Sequence, residues 1–267
     1  MARVLLTPLK WPGWRKKSPA DFKPVTPAPK LGQGLLLTGL AGFIDAIGFI
    51  ELGGYYTSFM SGNTTQLGNY LLDTPSAAAL LPLGLLLLFF TGSTVGSLLS
   101  LASERFGPAL VAALLFSSTT GAIALHFAGA DSPLSMGPLA FGAGAQNALL
   151  SPAGSVRLGA TFVTGTLFAA GQDLAKAIHK LAPRWRWTQH LLVWLSLLLG
   201  AALGAASYQR LGPLALLAPA ALHAAFCLGL ALRQRKAGPR PSRPVAARAS
   251  GTRTIRGRLR APAPIAG

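Results

Sequence analysis

The sequence predicts an all-α integral membrane protein, and three observations carry that prediction. The 267 residues are 51% hydrophobic and 12% charged, which is about half the charged fraction of an ordinary soluble domain. Six stretches are apolar and long enough to cross a bilayer. Short motifs recur in the same order in the two halves of the chain. Together these features predict about six transmembrane helices, arranged as two three-helix repeats of inverted topology.

The predicted spans follow from length and hydropathy, because a helix needs about 20 mostly apolar residues to cross the hydrocarbon. Two further stretches, 55–73 and 159–178, are ambiguous, and counting both would give eight spans. Six spans agree better with the distribution of Lys and Arg, since Arg210 is then the one basic residue in an outer loop. The six spans are 34–53, 77–101, 108–128, 135–151, 189–206 and 212–232.

The net charge of +17 is concentrated at the two ends of the chain. Residues 1–32 and 233–267 are predicted to be disordered basic cytoplasmic tails that flank a single transmembrane domain, 33–232. They would touch the anionic head groups of membrane lipids. Nucleic-acid binding is disfavoured, because its basic residues would have to lie on a folded surface. Cys227 is the single cysteine, so a cysteine-based metal site is excluded, and we expect no metal or cofactor.

The internal repeat rests on four collinear pairs of motifs. An odd number of spans in each repeat, about 33–130 and 135–232, would make the second enter the membrane from the opposite side. Inverted repeats of this kind are typical of secondary transporters, with the site at the bilayer midplane. The pairs are "AGFIDA" (41–46) with "AGAQNA" (143–148), "FMSGN" (59–63) with "FVTGT" (162–166), the G-x-x-x-G spacings Gly92/Gly96 and Gly200/Gly204, and "RFGPAL" (105–110) with "RLGPLA" (210–215).

Two polar segments, 58–70 and 161–173, occupy corresponding places in the repeats. We expect each to be a short or re-entrant helix that is broken near Gly62 or Gly165 and lines a polar site. The alternative is a surface loop for the first segment and an amphipathic helix for the second. The neutral groups expected to meet a solute are Ser61, Asn63, Thr64, Gln66, Thr164 and Thr166.

Three residues inside the predicted spans could carry charge or protons. Asp45 lies within the first span, and an acid there usually faces a cavity or a partner; the alternatives are that it caps a neighbouring helix or is protonated. Asn147 has the matching place in the fourth span. It could face Asp45 across a pseudo-two-fold axis, or only join two helices. His223 could relay protons with Asp45, or be a packed neutral histidine. The four G-x-x-x-G glycines are predicted to pack helices.

The motifs "GLAGFIDAIGFI", "FMSGNTTQLG" and "FVTGTLFAAGQDLA" resemble the YoaK family (domain of unknown function 1275) over about residues 33–232. The resemblance implies about six spans in a bacterial inner membrane and no established substrate. Members of the family are generally considered possible transporters. The residue before the first motif glycine is usually Thr in the family and is Ser61 here, which keeps the hydroxyl.

The sequence therefore predicts a multi-pass inner-membrane protein with both termini cytoplasmic. Its expected function is transport of a small polar solute, coupled to protons through Asp45. One alternative is a scaffold whose G-x-x-x-G faces bind a partner protein. A lipid-modifying enzyme is the other, but H-E-x-x-H, G-x-S-x-G and clustered carboxylates are all absent from the sequence, so we do not expect an enzyme.

Overall fold

The computed structural model describes residues 26–72, 77–103, 105–149 and 163–236, and every regular element in those ranges is helical. Three short 3-10 turns, Ala77–Ala79, Asn147–Leu149 and Gly212–Leu216, adjoin the longer helices. The eight helices of the described ranges are α1 (Ala28–Glu51), α2 (Met60–Leu72), α3 (Leu80–Ala102), α4 (Gly107–Phe127), α5 (Ser132–Gln146), α6 (Val163–Ile178), α7 (Arg186–Leu211) and α8 (Leu217–Lys236).

The predicted tails are only partly covered by these ranges. Helix α1 begins at Ala28, so residues 28–32 of the predicted N-terminal tail are helical, and α8 continues to Lys236. The rest of the two tails, 1–25 and 237–267, lies outside the described residues, as do 161 and 162 of the second polar segment.

Four regions of the described chain are long and apolar enough to cross a membrane: Ala28–Glu51, Ala77–Ala102, Gly107–Phe127 and Arg186–Arg235. The last region contains both α7 and α8, joined by a turn at Gly212, whose φ of 56° suits glycine. Helix α5, with 15 residues, falls short of the length of a span. The protein is thus a helical membrane protein.

Helix α3 has large apolar residues on its outer face and buried glycines on the face that packs against α5. In α3, Leu80 is 68% exposed, Phe90 69% and Leu101 81%, whereas Gly92 and Gly96 are buried. This arrangement fits a lipid environment, in which small residues let helices approach closely.

Two helix pairs are held together by glycines. Helix α7 packs on α1, where a Cβ atom on Gly200 would overlap the carbonyl group of Gly39. Helix α3 packs on α5, where a Cβ atom on Gly92 would overlap the carbonyl group of Phe141. The four G-x-x-x-G glycines therefore lie at helix–helix contacts within the chain.

The remaining long helices complete the bundle. Arg105, just before α4, donates to the carbonyl of Gln234 near the end of α8, so α4 and α8 run antiparallel. In α5, Gln146 donates from Nε2 to the carbonyl of Leu37 in α1 over 2.7 Å. At the other end of the same pair, Ser132 donates to the carboxylate of Glu51. Helices α1 and α5 are therefore also antiparallel.

The prediction that the polar segments break near Gly62 and Gly165 is wrong. Each glycine is the third residue of a continuous helix, α2 of 13 residues and α6 of 16. A glycine inside a helix costs only about 1 kcal/mol relative to alanine, which does not interrupt a helix by itself. Both helices are nevertheless shorter than a membrane span.

Candidate functional site

The chain turns back on itself after α1. Gly53 and Gly54 have φ angles of 65° and 108°, a conformation that side-chain-bearing residues rarely adopt. The following residues then run back along α1, because Thr57 packs against Gly48, where a Cβ atom would collide with the Thr57 methyl group. Residues 55–59 thus form a re-entrant segment that turns back into the bundle beside α1, and α2 then begins at Met60.

Asp45 holds this re-entrant segment in place. Its Oδ1 atom accepts hydrogen bonds from the backbone nitrogens of Thr57 (2.8 Å) and Ser58 (2.7 Å) and from the Thr57 hydroxyl (3.0 Å). Asp45 precedes the end of α1 by six residues, which is about 9 Å of helix. The carboxylate therefore anchors the approach to α2 well below the end of α1, through residues that precede the first turn of α2.

Most polar residues of the first segment are engaged in folding it. Asn63 is fully buried, and its side-chain amide pairs with both the backbone N–H and the carbonyl of Tyr56. Gln66 donates to the carbonyl of Gly54, and the Thr64 hydroxyl donates to the carbonyl of Met60. Ser61 is exposed. Gly62 lies under the rings of Tyr56 and Phe59, leaving no room for a Cβ atom.

A cavity of about 470 Å³ that is open to the protein surface lies beside Asp45, and several of its lining side chains, such as Ile50 and Leu167, are exposed. Its wall combines three polar residues, Asp45, Ser58 and Thr164, with aromatic and aliphatic side chains. The start of α6 closes one side of the cavity, and the middle of α7 closes another. The non-polar side chains include Phe49, Ile50, Tyr56, Phe59, Leu167, Trp194 and Leu197.

The second polar segment contributes less to this cavity than its counterpart. Thr164 lines the cavity, whereas Gly165 is exposed, with open space where a Cβ atom would be. Thr166 is buried, at 4% exposure. The segment therefore brings one of its three predicted residues to the cavity wall.

Asn147 does not face Asp45, so that interpretation is wrong. Asn147 follows α5 directly, and the preceding residue, Gln146, bonds to Leu37 of α1. Asp45 lies eight residues further along α1, about 12 Å away along the helix axis. The Asn147 side chain donates to the carbonyl of Ala143 over 3.4 Å.

An ionic cluster between α6 and α7 was not predicted. Asp173 accepts two bonds of 2.6 Å from Arg186, and Lys176 and His190 lie 3.6 and 3.4 Å away. Burial raises the pKa of Asp173, but the hydrogen bonds and charge of Arg186, with Lys176 and His190, bring that pKa below its ordinary value. No local sequence pattern indicates this cluster, because Arg186 is 13 residues away from Asp173 along the chain.

His223 lies apart from the large cavity. It is 2% exposed, and its Nδ1 atom is 3.2 Å from the hydroxyl of Thr119 in α4. It does contribute to a much smaller chamber of about 10 Å³, whose wall includes Thr57 and Ser58, the two residues bound by Asp45. Among the described residues, the re-entrant segment therefore lies between Asp45 and His223.

Comparison with known proteins agrees with the resemblance noted in the motifs. The family model described as "Protein of unknown function (DUF1275)" matches residues 33–229. The chain is 36% identical over 180 residues to a UPF0700 transmembrane protein of Rhizobium meliloti (strain 1021), covering 67% of this chain and 76% of that protein. No solved structure matches the chain. The resemblance is confirmed: the chain belongs to the DUF1275 family.

Proposed function

We propose that this protein is a non-enzymatic transporter that carries a small polar solute across the bacterial inner membrane, with proton coupling through Asp45. One observation carries the proposal: a cavity of about 470 Å³ is bordered by a carboxylate that lies on a candidate membrane span. A charged side chain within a membrane costs about 2.5–3.5 kcal/mol on insertion scales, so it usually faces a cavity or a pathway. Ser58 and Thr164 supply neutral hydrogen-bonding groups in the same wall.

Six crossings of the membrane account for the directions of the long helices. Helices α1 and α7 are parallel, since Thr26 bonds to Gln189 near their starts and Glu51 to Tyr208 near their ends. Both are antiparallel to α5 and α8, and α3 is parallel to α5 because Gly92 and Gly96 meet Phe141 and Ala145. The order α1, α3, α4, α5, α7, α8 then alternates in direction, as successive crossings must.

An inverted repeat accounts for the glycine contacts. Gly200 would meet Gly39 at the α1–α7 contact, as Gly92 would meet Phe141 at the α5–α3 contact. Gly39 and Phe141 are 102 residues apart, which is also the offset between the paired motifs at 41–46 and 143–148. The same offset relates Phe43 and Ala145, which contact Gly204 and Gly96. Equivalent contacts between oppositely directed helices are what a pseudo-two-fold axis in the membrane plane would produce.

The two short helices fit the positions of the half-helices found in such transporters. Residues just before and within the first turns of α2 and α6, namely Phe59, Val163 and Thr164, line the cavity. Helix N-termini carry unpaired backbone N–H groups and partial positive charge. Transporters with inverted repeats use such ends to bind polar solutes near the midplane. The carboxylate of Asp45 beside them would release and rebind a proton as the solute passes.

Both ends of the described chain support cytoplasmic termini. The start of α1 and the end of α8 lie on the same face, because α1 and α7 start side by side and α8 returns after the turn at Gly212. The strongly basic ends of the sequence would place that face in the cytoplasm. The same tails would meet anionic lipid head groups.

The scaffold alternative loses part of its support. A scaffold would use its G-x-x-x-G faces to bind a partner protein. All four of these glycines instead contact helices of the same chain: Gly92, Gly96, Gly200 and Gly204. Binding rather than catalysis suits the cavity, because its described lining contains neither a histidine nor a cysteine that could activate a nucleophile.

The proposal is tested in liposomes that enclose a pH-sensitive dye. Wild-type protein, Asp45→Asn and the control Glu51→Gln are reconstituted at equal density and screened with gradients of small polar solutes. We expect at least one solute to drive proton movement in the wild type and in Glu51→Gln, and Asp45→Asn to lower that rate at least tenfold. Asparagine keeps the acceptor oxygen for Thr57 and Ser58, so a folding defect is not expected. Solute-driven flux that is equal in all three proteins would contradict the role of Asp45.

A further inference from the structure

A small chamber with a polar wall lies inside the bundle behind the re-entrant segment. Its volume of about 10 Å³ is close to the space that one water molecule occupies. The polar residues of its described wall are Thr57, Ser58, Ser118, Thr119, Gln146 and His223. A buried site of this size with several hydrogen-bonding groups is where proteins hold ordered water, whereas apolar cavities remain dry.

The hydrogen bonds around Thr119 favour one protonation pattern of His223. The Thr119 hydroxyl lies 2.9 Å from the carbonyl of Leu115, to which it donates its single proton. In that arrangement the hydroxyl oxygen accepts from the Nδ1 atom of His223, which lies 3.2 Å from it. A neutral histidine that is protonated on Nδ1 has a lone pair on Nε2.

The Nε2 atom of His223 is the group that needs a ligand. It is buried and has no hydrogen-bond partner among the described residues. A buried acceptor without a partner costs about 1–3 kcal/mol. His223 is only 2% exposed and lines the chamber. It is the one titratable side chain of the described wall. A donor placed in the chamber would remove this penalty.

We propose that one ordered water molecule occupies the chamber, donates a hydrogen bond to Nε2 of His223, and links this histidine through Ser58 and Thr57 to Asp45. Thr57 donates its hydroxyl proton to Asp45 and also lines the chamber, so its oxygen can accept from the same water. Ser58 lines both the chamber and the large cavity. The water would complete a hydrogen-bonded chain from the cavity to α8.

Such a chain would give the protein a second place to hold a proton. The carboxylic acid of Asp45 gives its proton to the Ser58 hydroxyl oxygen, that hydroxyl releases its own proton to the water, and the water releases one to Nε2 of His223. Asp45 becomes a carboxylate, His223 becomes an imidazolium that donates from both nitrogens, and no other group changes its net charge. This proton transfer rests on the proposed function, whereas the water site and the tautomer do not.

The tautomer is tested by NMR of full-length protein labelled with ¹⁵N-histidine, in lipid nanodiscs. The sequence has four histidines, and His223→Gln identifies the signals of interest. We expect Nδ1 to be protonated and Nε2 unprotonated in the wild type and in the matched variant Thr119→Ser. Thr119→Val, which lacks the acceptor oxygen, is expected to shift His223 towards the Nε2-protonated form. A wild-type His223 that is protonated on Nε2 would overturn the proposal.

Two further readouts test the water and the proton transfer separately. An experimental structure that shows other buried waters should show one between Ser58 and His223, and an empty chamber would overturn the water site. In the liposome assay, His223→Gln should lower solute-driven proton movement at least tenfold, whereas His126→Gln, at the end of α4 and outside the chamber, should not. An unaffected His223→Gln would overturn the relay and leave transport intact. If the wild type moves no solute, the proposed function fails. The NMR experiment and the experimental structure then still test the tautomer of His223 and the water site.

Discussion

Asp45 Oδ1 lies 2.7 Å from the backbone nitrogen of Ser58, a contact that joins a membrane-spanning helix to a segment that turns back into the bundle. The same oxygen receives the backbone nitrogen and hydroxyl of Thr57. One carboxylate oxygen is therefore committed to structure. In the proposed function, the same carboxyl group that anchors this segment also binds the transported proton.

The anchoring role predicts different effects for two substitutions of Asp45. Asp45→Ala should lower the free energy of unfolding by about 2–5 kcal/mol, because it leaves two buried N–H groups without an acceptor. Asp45→Asn should cost markedly less, since its amide oxygen replaces Oδ1. Thermal unfolding in nanodiscs, followed by tryptophan fluorescence, measures the difference. Equal losses for both variants would show that the hydrogen bonds are not what the carboxylate contributes.

The glycine contacts predict a sharp contrast within α3. Gly92→Ala should destabilise the protein by several kcal/mol, because the new methyl group would overlap the backbone of Phe141. Gly84→Ala in the same helix has open space around the new Cβ atom and should stabilise the protein by up to about 1 kcal/mol through helix propensity. The melting temperatures of the two variants and the wild type, measured in the same lipid, test this contrast in stability. A harmless Gly92→Ala would contradict the close approach of α3 to α5.

The repeat hypothesis extends that prediction to the other half of the chain. Gly200→Ala should destabilise the protein about as much as Gly92→Ala. The new Cβ atom would overlap the Cα, C and O atoms of Gly39, which are the same three atoms that Gly92→Ala would overlap in Phe141. Gly229→Ala in α8 meets open space and serves as the control. A large loss for one repeat and none for the other would count against equivalent contacts.

The ionic cluster predicts acid sensitivity. A carboxyl whose pKa is lower in the folded protein stabilises it above the unfolded pKa of about 3.9, and this stability is lost as the pH falls through the folded pKa. The pKa of Asp173 is lowered in this sense. The difference in melting temperature between wild type and Asp173→Asn should therefore be smaller below about pH 4 than at pH 8. A difference that grows on acidification would contradict the cluster.

Topology is checked by labelling single cysteines in a Cys227→Ser background. Ala128→Cys, exposed after α4, should react with a membrane-impermeant thiol reagent added outside spheroplasts. His179→Cys, exposed after α6, should react only after the membrane is permeabilised. Eight spans would instead place position 128 in the cytoplasm, so an unreactive Ala128→Cys in intact spheroplasts would rule out six.

Much of the architecture was predictable because it follows from local composition. Apolar length identified the helices that became α1, α3, α4, α7 and α8, and the G-x-x-x-G spacings identified glycines that do lie at helix contacts. The start of α5 is also explained locally, since Asp131 accepts the backbone N–H of Leu134 and Pro133 occupies the first turn.

The site was less predictable because it depends on contacts between distant residues. Asn63 resembles a solute-binding amide in the sequence, yet its amide is used by the backbone of Tyr56. No local pattern says that Arg186 reaches Asp173, or that Trp194 shares a cavity with Asp45. The break expected at Gly62 lies instead before α2, where Gly53 and Gly54 turn the chain.

The central claim is that the cavity beside Asp45 is a water-filled pathway within the bundle, and the reactivity of Thr164→Cys tests it most directly. Thr164 lines the cavity, whereas Phe90 of α3 is 69% exposed and is not part of the cavity wall. In a Cys227→Ser background, Thr164→Cys should react quickly with a small hydrophilic thiol reagent and be protected by a transported solute, while Phe90→Cys should react only with a lipophilic one. Equal, lipophilic-only reactivity at both positions would contradict the account.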